Sequence, residues 1–432
     1  MQTTGTTAVA DLGSQPRILM AASTWWPASA RLAIALVRSG CDVAAMCPRG
    51  HPLHYVSGVK QFYKVQALRS RASLLAAIQN AKPDFIIPCD DRIVSQLHEL
   101  FSLHSELRPL IEYSLGDPTG FDITESRGEL LKTATDLGIR VPRGAVVTTE
   151  VDAKQSFGQF GPVAVIKLDG THGGEGVRIV RSAIEAAAAF RSLRRGTGLL
   201  IAAHRLLIHG DPLAQWSWTR RARSEITIQK HIQGTPANNM VACWRGEILS
   251  EISVECVSCQ GPTGSANVVR RIDNPELARA AKLIAAHLSA SGFFGLDFII
   301  EHPSGEPYLI EMNPRCTQLG HLQFPDADLA SALCERITGR CRPRPKMPIR
   351  SDKIAFFPQA WKSSTRGDDW YSSFQDVPWE EKSLVEYLMH APWPERRWQA
   401  RAYRTLRRRK LNDGLCTPIT VGETPEATST GG

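Results

Sequence analysis

Asp297, Glu311, Asn313 and Arg315 bring three oxygen donors and a guanidinium into one short stretch of the chain. Around them, Phe294 to Ile300 and Tyr308 to Asn313 read as the two arms of a β-hairpin, and Pro303-Ser304-Gly305 supplies the turn, with glycine at its left-handed position. Leu296, Phe298 and Ile300 share the apolar face of the first arm, with Asp297 on the other. Tyr308, Ile310 and Met312 form the apolar face of the second, with Leu309, Glu311 and Asn313 opposite. Folding the hairpin about Ser304 sets Asp297 directly across from Glu311. Two carboxylates opposed on one sheet face repel each other. A cation between them relieves the repulsion, and Asp, Glu and an amide carbonyl are ligands that Mg²⁺ takes. The plain alternative is an exposed hairpin whose polar face meets water, and residues upstream weigh against it.

Upstream, Pro162-Val-Ala-Val-Ile-Lys167 reads as a strand ending on a lysine, which lies on the face of Val163 and Val165. A lysine so placed calls for an anion. The following Asp-Gly-Thr-His-Gly173-Gly174-Glu-Gly176 is a flexible loop whose backbone N–H groups can approach phosphates closely. It lacks the Gly-Lys-Ser/Thr ending of a P-loop, and alone such a glycine hairpin is a weak signal.

The elements that must position these residues fall into a series. Residues 17–22, 42–47 and 84–88 read as short buried strands, with helices at 28–39 and 74–80, which indicates a parallel α/β domain. Asp90 and Asp91 follow the third strand as the cap and first turn of another helix. Glu125 to Leu137 is an amphipathic helix, residues 182–195 an alanine-rich one, and Pro275 to Ala290 a third. Strands are expected at 226–232, 240–244 and 248–257. The stretch 199–223, with Trp216 and Trp218, reads as an insertion of unread role.

Composition sets the frame. At 432 residues the chain has room for roughly two to four domains. Its 43% hydrophobic and 22% charged content is that of a soluble globular protein. No run approaches the roughly 18 apolar residues of a membrane span, and the first residues do not follow a secretory pattern. Ten cysteines without regular spacing suit a reducing cytoplasm. Cys256-Val-Ser-Cys259 lacks the second pair that a zinc site requires, so ordinary strand cysteines are expected there. Much of the net charge of +8 lies in 393–410, where basic residues interleave with Trp393, Trp398 and Tyr403. That tail could touch nucleic acid or another acidic surface, but a solvated helix is the favoured reading.

The order of Ser126-Arg127, Lys167, the glycine loop, Gln229-Lys230-His231-Ile232 and Asp297…Glu311-Met-Asn313-Pro-Arg315 resembles that of the ATP-grasp enzymes over roughly residues 15–340. The Glu-x-Asn-Pro-Arg ending is most similar to the carbamoyl-phosphate-synthase-like and carboxylate–amine ligase branches. The resemblance implies an α/β chain with an N-terminal Rossmann-like pre-ATP-grasp domain (17–120), an ATP-grasp domain (121–340) and a C-terminal extension (341–414). Disordered tails are expected at 1–16 and 415–432. Within the ATP-grasp domain, a lid subdomain would span about 145–230 and a metal-site subdomain about 231–340.

The resemblance also assigns roles. Arg127, Lys167 and the loop glycines Gly173, Gly174 and Gly176 would contact the phosphates of ATP, and Gln229, Lys230, His231 and Ile232 the adenine edge. Asp297, Glu311 and Asn313 would hold Mg²⁺, for which Mn²⁺ could substitute. Arg315 and Lys167 would act on the transferring phosphoryl group. Two positions depart from the family, which usually has Lys where this chain has Arg127 and Glu where it has Gln229. The implied activity joins a small-molecule carboxylate to an amine through an acyl-phosphate. A phosphotransferase that stops at the phosphorylated product and a degenerate ATP-binding scaffold are the alternatives. Asn267, Arg270 and Arg271 could orient substrate or simply face water.

Overall fold

A computed structural model describes residues 15–66, 69–169, 176–195, 224–260, 264–340, 348–363 and 368–390. Gly173 and Gly174, the 199–223 insertion, both tails and the basic segment 393–410 lie outside these residues.

The first apolar runs form a parallel sheet in the order β3-β2-β1-β4: β1 (Arg17–Ala21), β2 (Asp42–Cys47), β3 (Val59–Lys64) and β4 (Phe85–Pro88). β1 and β4 are buried along nearly their whole length because helices cover both faces. α1 (Pro27–Arg38) covers one face; α2 (Ser70–Ala81), α3 (Asp91–Leu103) and α4 (Arg108–Leu115) cover the other. β3 is an edge strand of mostly exposed residues, so it carries no apolar signature by which to find it.

The helix expected from Glu125 is two helices, α5 (Phe121–Glu125) and α6 (Arg127–Asp136). Ser126 is extended and its hydroxyl accepts from the Glu129 N–H at 3.2 Å, an N-cap that starts α6 at Arg127.

A second sheet is antiparallel throughout, in the order β5-β8-β6-β7: β5 (Gly144–Val147), β6 (Ala164–Leu168), β7 (Val177–Val180) and β8 (Ile226–Lys230). Ala164, Ile166 and Leu168 pack with Ile226 and Ile228 against Ala153 of α7 (Glu150–Phe157) and Phe190 and Leu193 of α8 (Ala183–Arg195). Lys167 therefore projects to the opposite side.

The third sheet has seven strands in the order β13-β12-β9-β10-β11-β14-β15. They are β9 (Gly234–Trp244), β10 (Glu247–Cys259), β11 (Ala266–Arg271), β12 (Gly292–Glu301), β13 (Pro307–Asn313), β14 (Lys353–Phe356) and β15 (Phe374–Asp376). One face packs on α6 and α9 (Pro275–His287) through Leu130, Leu277, Ile284, Phe294 and Leu309. Met240, Ile252 and Val254 on the other face share a core with α1, the first sheet and α10 (Leu329–Thr338). β14 and β15 come from the expected C-terminal extension, and they complete this sheet beyond β11.

The cysteines depart from expectation. Cys41 is paired with Cys334, and Cys256 with Cys259, while Cys47, Cys89, Cys243 and Cys316 are buried thiols. Strand residues three apart normally face opposite ways, but β10 changes register between Cys256 and Cys259 where it meets β11. Among the described residues no helix is long and apolar enough to cross a membrane.

Candidate functional site

The hairpin pairs Asp297 with Glu311 and Gly295 with Asn313. Gly305 takes the left-handed conformation, φ +75°, in the turn. The apolar face of the second arm differs from expectation. A bulge after Asp297 sets Phe298 opposite Leu309 and leaves Ile310 as the extra residue. Leu309, not Tyr308 or Ile310, therefore joins Leu296, Phe298 and Met312 in the core.

Asn238 of β9 lies across from Asp297 on the side away from Glu311, so Glu311, Asp297 and Asn238 form one polar row across three strands. One Asp297 oxygen accepts from Asn238 Nδ2 at 2.6 Å and the other from Asn313 Nδ2 at 2.9 Å. Burial, reinforced by the nearby Glu311 charge, still raises the Asp297 carboxyl to about 6, against the pull of the two amides and Arg315. Gly295 lets Thr317 pack close against the strand here, since a Cβ at that position would sit 2.6 Å from the Thr317 methyl.

Arg127, the first residue of α6, joins this floor to the second sheet. Its guanidinium reaches Glu311 at 3.0 Å and Asp169, just past β6, at 2.9 Å. Burial opposes its charge, but Glu311 and Asp169 outweigh that and raise its pKa. Lys167 faces the same group. Burial and the Arg127 charge lower its ammonium to about 8, with Glu311, Asp297 and Asp169 pulling the other way. The Lys167 side chain makes no hydrogen bond or ion pair among the described residues.

Arg315 is committed to the first sheet. Its Nε and Nη2 donate to the two Asp91 oxygens at 2.9 and 3.3 Å, and Nη2 also donates to Asn313 Oδ1 at 3.1 Å. Asp90 is the expected cap, accepting from Ile93 N–H at 3.1 Å and from Ser23 N–H at 2.6 Å. Asp91, read from sequence as an ordinary first-turn residue, is the Arg315 partner.

Gln229 is buried at the end of β8, between β5 and β6, and Ile232 is buried just beyond the strand. The N–H groups of Lys230 and His231 donate to the carbonyls of Arg143 and Val163, at 2.8 and 3.4 Å, and are thus already engaged. Lys230 Nζ lies 3.7 Å from Glu301. Gly234 follows as β9 passes β12, where a Cβ would lie 2.0 Å from the Ile300 carbonyl oxygen. Gly176 closes the loop onto β6, accepting from Leu168 N–H at 3.0 Å.

Arg270 and Arg271 take up local partners: Arg270 pairs with Glu255 at 3.0 Å, while Arg271 forks onto Asp326 and lies over the Phe324 ring. The Asn267 side chain is buried with its amide oxygen unpartnered. Asn238, Asp91 and Asp169 are the site residues that sequence reading passed over. The available signals were a polar residue inside a strand for Asn238 and a strand C-terminus for Asp91.

The site architecture can be compared with known proteins. No protein-family model matches the chain, and no curated protein matches it in sequence. Solved structures do match in fold. The N5-carboxyaminoimidazole synthase of Aspergillus clavatus, solved with ADP and 5-aminoimidazole ribonucleotide, superposes with a TM-score of 0.57 at 14% identity, over 78% of this chain and 80% of that one. The Campylobacter jejuni biotin carboxylase, in a β-γ-ATP complex, gives 0.54 at 15% identity, over 76% and 72%. The Staphylococcus aureus N5-carboxyaminoimidazole synthetase gives 0.54 at 16% identity, over 76% and 78%. The chain has the ATP-grasp fold. At these identities the likeness is one of fold. Within the ATP-grasp fold of this chain, the second sheet carries Lys167 and the third carries the Asp297–Glu311 row.

The three candidate metal ligands can be tested against their chemistry. Among the described residues no three His, Cys, Asp or Glu side chains form a ready metal cluster. The candidate set is instead two carboxylates and an amide, all hard oxygen donors of the kind Mg²⁺ takes. Asn238 Oδ1 beside them is buried and has no hydrogen-bond partner among the described residues. An amide oxygen with no donor among the described residues, beside two carboxylates and a second amide, makes a set of hard oxygen donors that fits a divalent cation.

Proposed function

We propose that the chain is an ATP- and Mg²⁺-dependent ligase that joins a carboxylate to an amine through an acyl-phosphate. One observation carries this reading: Lys167, buried and with no hydrogen bond or ion pair among the described residues, faces the opposed carboxylates Asp297 and Glu311. Positive and negative groups are thus arranged for a molecule bearing both phosphate and metal. The ligands of the structural neighbours, ADP in one and β-γ-ATP in another, agree with it.

In this reading Asp297, Glu311 and Asn313 hold the metal, and Lys167 takes a phosphate oxygen. When bound, Mg-ATP supplies the phosphoryl group that converts a stable carboxylate into an acyl-phosphate open to an amine. Arg127, already within 3.0 Å of Glu311, places a second positive charge beside Lys167. Arg315 presents a guanidinium beside Asn313, where charge develops on the transferred group. Gly173, Gly174 and Gly176 would border the phosphates. The adenine edge would fall to backbone groups of the Gln229–Ile232 stretch other than the Lys230 and His231 N–H groups. The chemistry needs no nucleophile from the protein.

The test is to incubate the protein with Mg-ATP and pooled carboxylates and amines, following phosphate release and product mass together. Phosphate release that requires both acid and amine, with a product heavier by their condensation, is expected. A phosphorylated acid accumulating without any need for amine would replace the ligase by a phosphotransferase.

A further inference from the structure

We propose that Asp91 is a positioning residue: it sets the orientation of Arg315 and, through Asn313, of the metal-binding edge of the hairpin. The inference rests on the nucleotide reading above and adds to it a residue of α3, which packs on the first sheet, 224 positions earlier in the chain than Arg315.

Five side chains are joined in one unbroken line. Asp91 accepts from Arg315 Nε at 2.9 Å and Nη2 at 3.3 Å; Nη2 also donates to Asn313 Oδ1 at 3.1 Å. Asn313 Nδ2 donates to one oxygen of Asp297 at 2.9 Å, and Asn238 Nδ2 donates to the other at 2.6 Å. Each link constrains the next. A side-on fork holds a planar guanidinium in both position and plane, which a single contact would not do.

With Nη2 fixed, Asn313 has only one sensible amide orientation, oxygen to Arg315 and nitrogen to Asp297. That orientation leaves one lone pair of Asn313 Oδ1 for a cation and holds Asp297 by its second oxygen.

Asp91 can serve as the anchor because its own mount is rigid. It is the first residue of α3, and Asp90 before it accepts from Ser23 N–H at 2.6 Å, Ser23 Oγ at 2.9 Å and Ile93 N–H at 3.1 Å. The loop after β1 and the start of α3 are thereby locked together. The Arg315 and Asp91 side chains are only 18% and 26% exposed, so water does little to screen the pair. An ion pair that merely tied α3 to the hairpin would change stability. One that aims Arg315 and Asn313 changes how the metal is held.

The two cases separate in binding measurements on the full chain. Titration calorimetry with ADP is run with Mg²⁺ and with chelator, and thermal melts are recorded alongside. Loss of an outer partner of a metal ligand weakens metal binding by 10- to 100-fold in general, so Asp91→Ala is expected to weaken MgADP binding by about ten-fold while ADP without metal stays within about two-fold. Asp91→Glu, which keeps the carboxylate, is expected to recover most of the loss, with Asp91→Asn falling between. Asp91→Asn also serves as the informative variant should the alanine form fail to fold.

Unchanged MgADP affinity in Asp91→Ala and Asp91→Asn, whatever the melts show, would overturn the proposal. So would equal weakening of ADP with and without Mg²⁺. If the unsubstituted protein bound no MgADP at all, the nucleotide reading itself would fall and take this inference with it.

Discussion

On the floor of the site both oxygens of Asp297 are occupied, by Asn238 at 2.6 Å and Asn313 at 2.9 Å. In the strand that faces it, Lys167 is deeply buried, yet its side chain makes no hydrogen bond or ion pair among the described residues. The floor belongs to a seven-stranded sheet and draws its partners from β9, β12 and β13; Lys167 ends a short strand of a four-stranded sheet. The difference separates two ways of preparing a charged site. The floor is preorganised by hydrogen bonds that exist without a ligand, whereas the lysine is buried with no such bond among the described residues. Arg127 touches carboxylates of both regions, Glu311 and Asp169.

Breaking the floor should have the largest effect. Glu311→Ala removes half of the opposed carboxylate pair and the Arg127 partner at once. ADP formation from Mg-ATP is expected to fall on the order of 10²–10³-fold, as when one preorganised electrostatic group is removed from other sites. ADP formation unchanged in that variant would sink the metal assignment.

Breaking the opposite side should cost less and leave a different signature. Lys167→Met keeps the length of the side chain and removes its charge. A hydrogen bond to a charged group is worth about 1.5–3 kcal/mol, so nucleotide affinity should drop by about 10- to 100-fold. The melting temperature without nucleotide should not fall, and should rise if anything, because a buried ammonium with no hydrogen bond among the described residues leaves the interior. A melt lowered by several degrees would mean that Lys167 is a structural residue and that the contrast with the floor is false.

The same contrast governs what could be read from sequence. Asp297 and Glu311 were legible as polar residues of the two arms from strand alternation, although the register set at the turn, Phe298 opposite Leu309, brings them face to face only through the bulge. The bulge at Ile310 was not, since neither residue type nor spacing distinguishes Leu309 from Ile310 as the inward residue. Lys167 was legible as a charge at the end of an apolar strand. Asp91 and Asn238 were missed because their roles arise from partners far away in sequence, and such pairings leave no local pattern. β3 and β15 were missed for another reason: short edge strands bury too few residues to impose a period.

The smallest effect is also the most discriminating, because the two regions should bend the pH profile of stability in opposite directions. For Asp297 the folded carboxyl lies at about 6, above the unfolded value of about 3.9. The folded state then binds more protons than the unfolded state between those values, so the metal-free protein loses stability from this group as pH rises from about 4 to 6. The change is at most about 3 kcal/mol at 1.36 kcal/mol per unit. For Lys167 the folded ammonium lies at about 8, below the unfolded value of about 10.4, so its contribution improves as pH rises through that window. Denaturant melts from pH 4 to 10 in chelator should therefore show a fall at the acid end that Asp297→Asn flattens. They should also show a rise at the alkaline end that Lys167→Met flattens. Saturating Mg²⁺ should diminish the acid-end fall alone, because a cation beside Asp297 favours its charged form. Acid limbs that stay identical in the unsubstituted protein and Asp297→Asn would show that the two amides already neutralise the cost of that buried charge. In that case the floor would be complete without any metal.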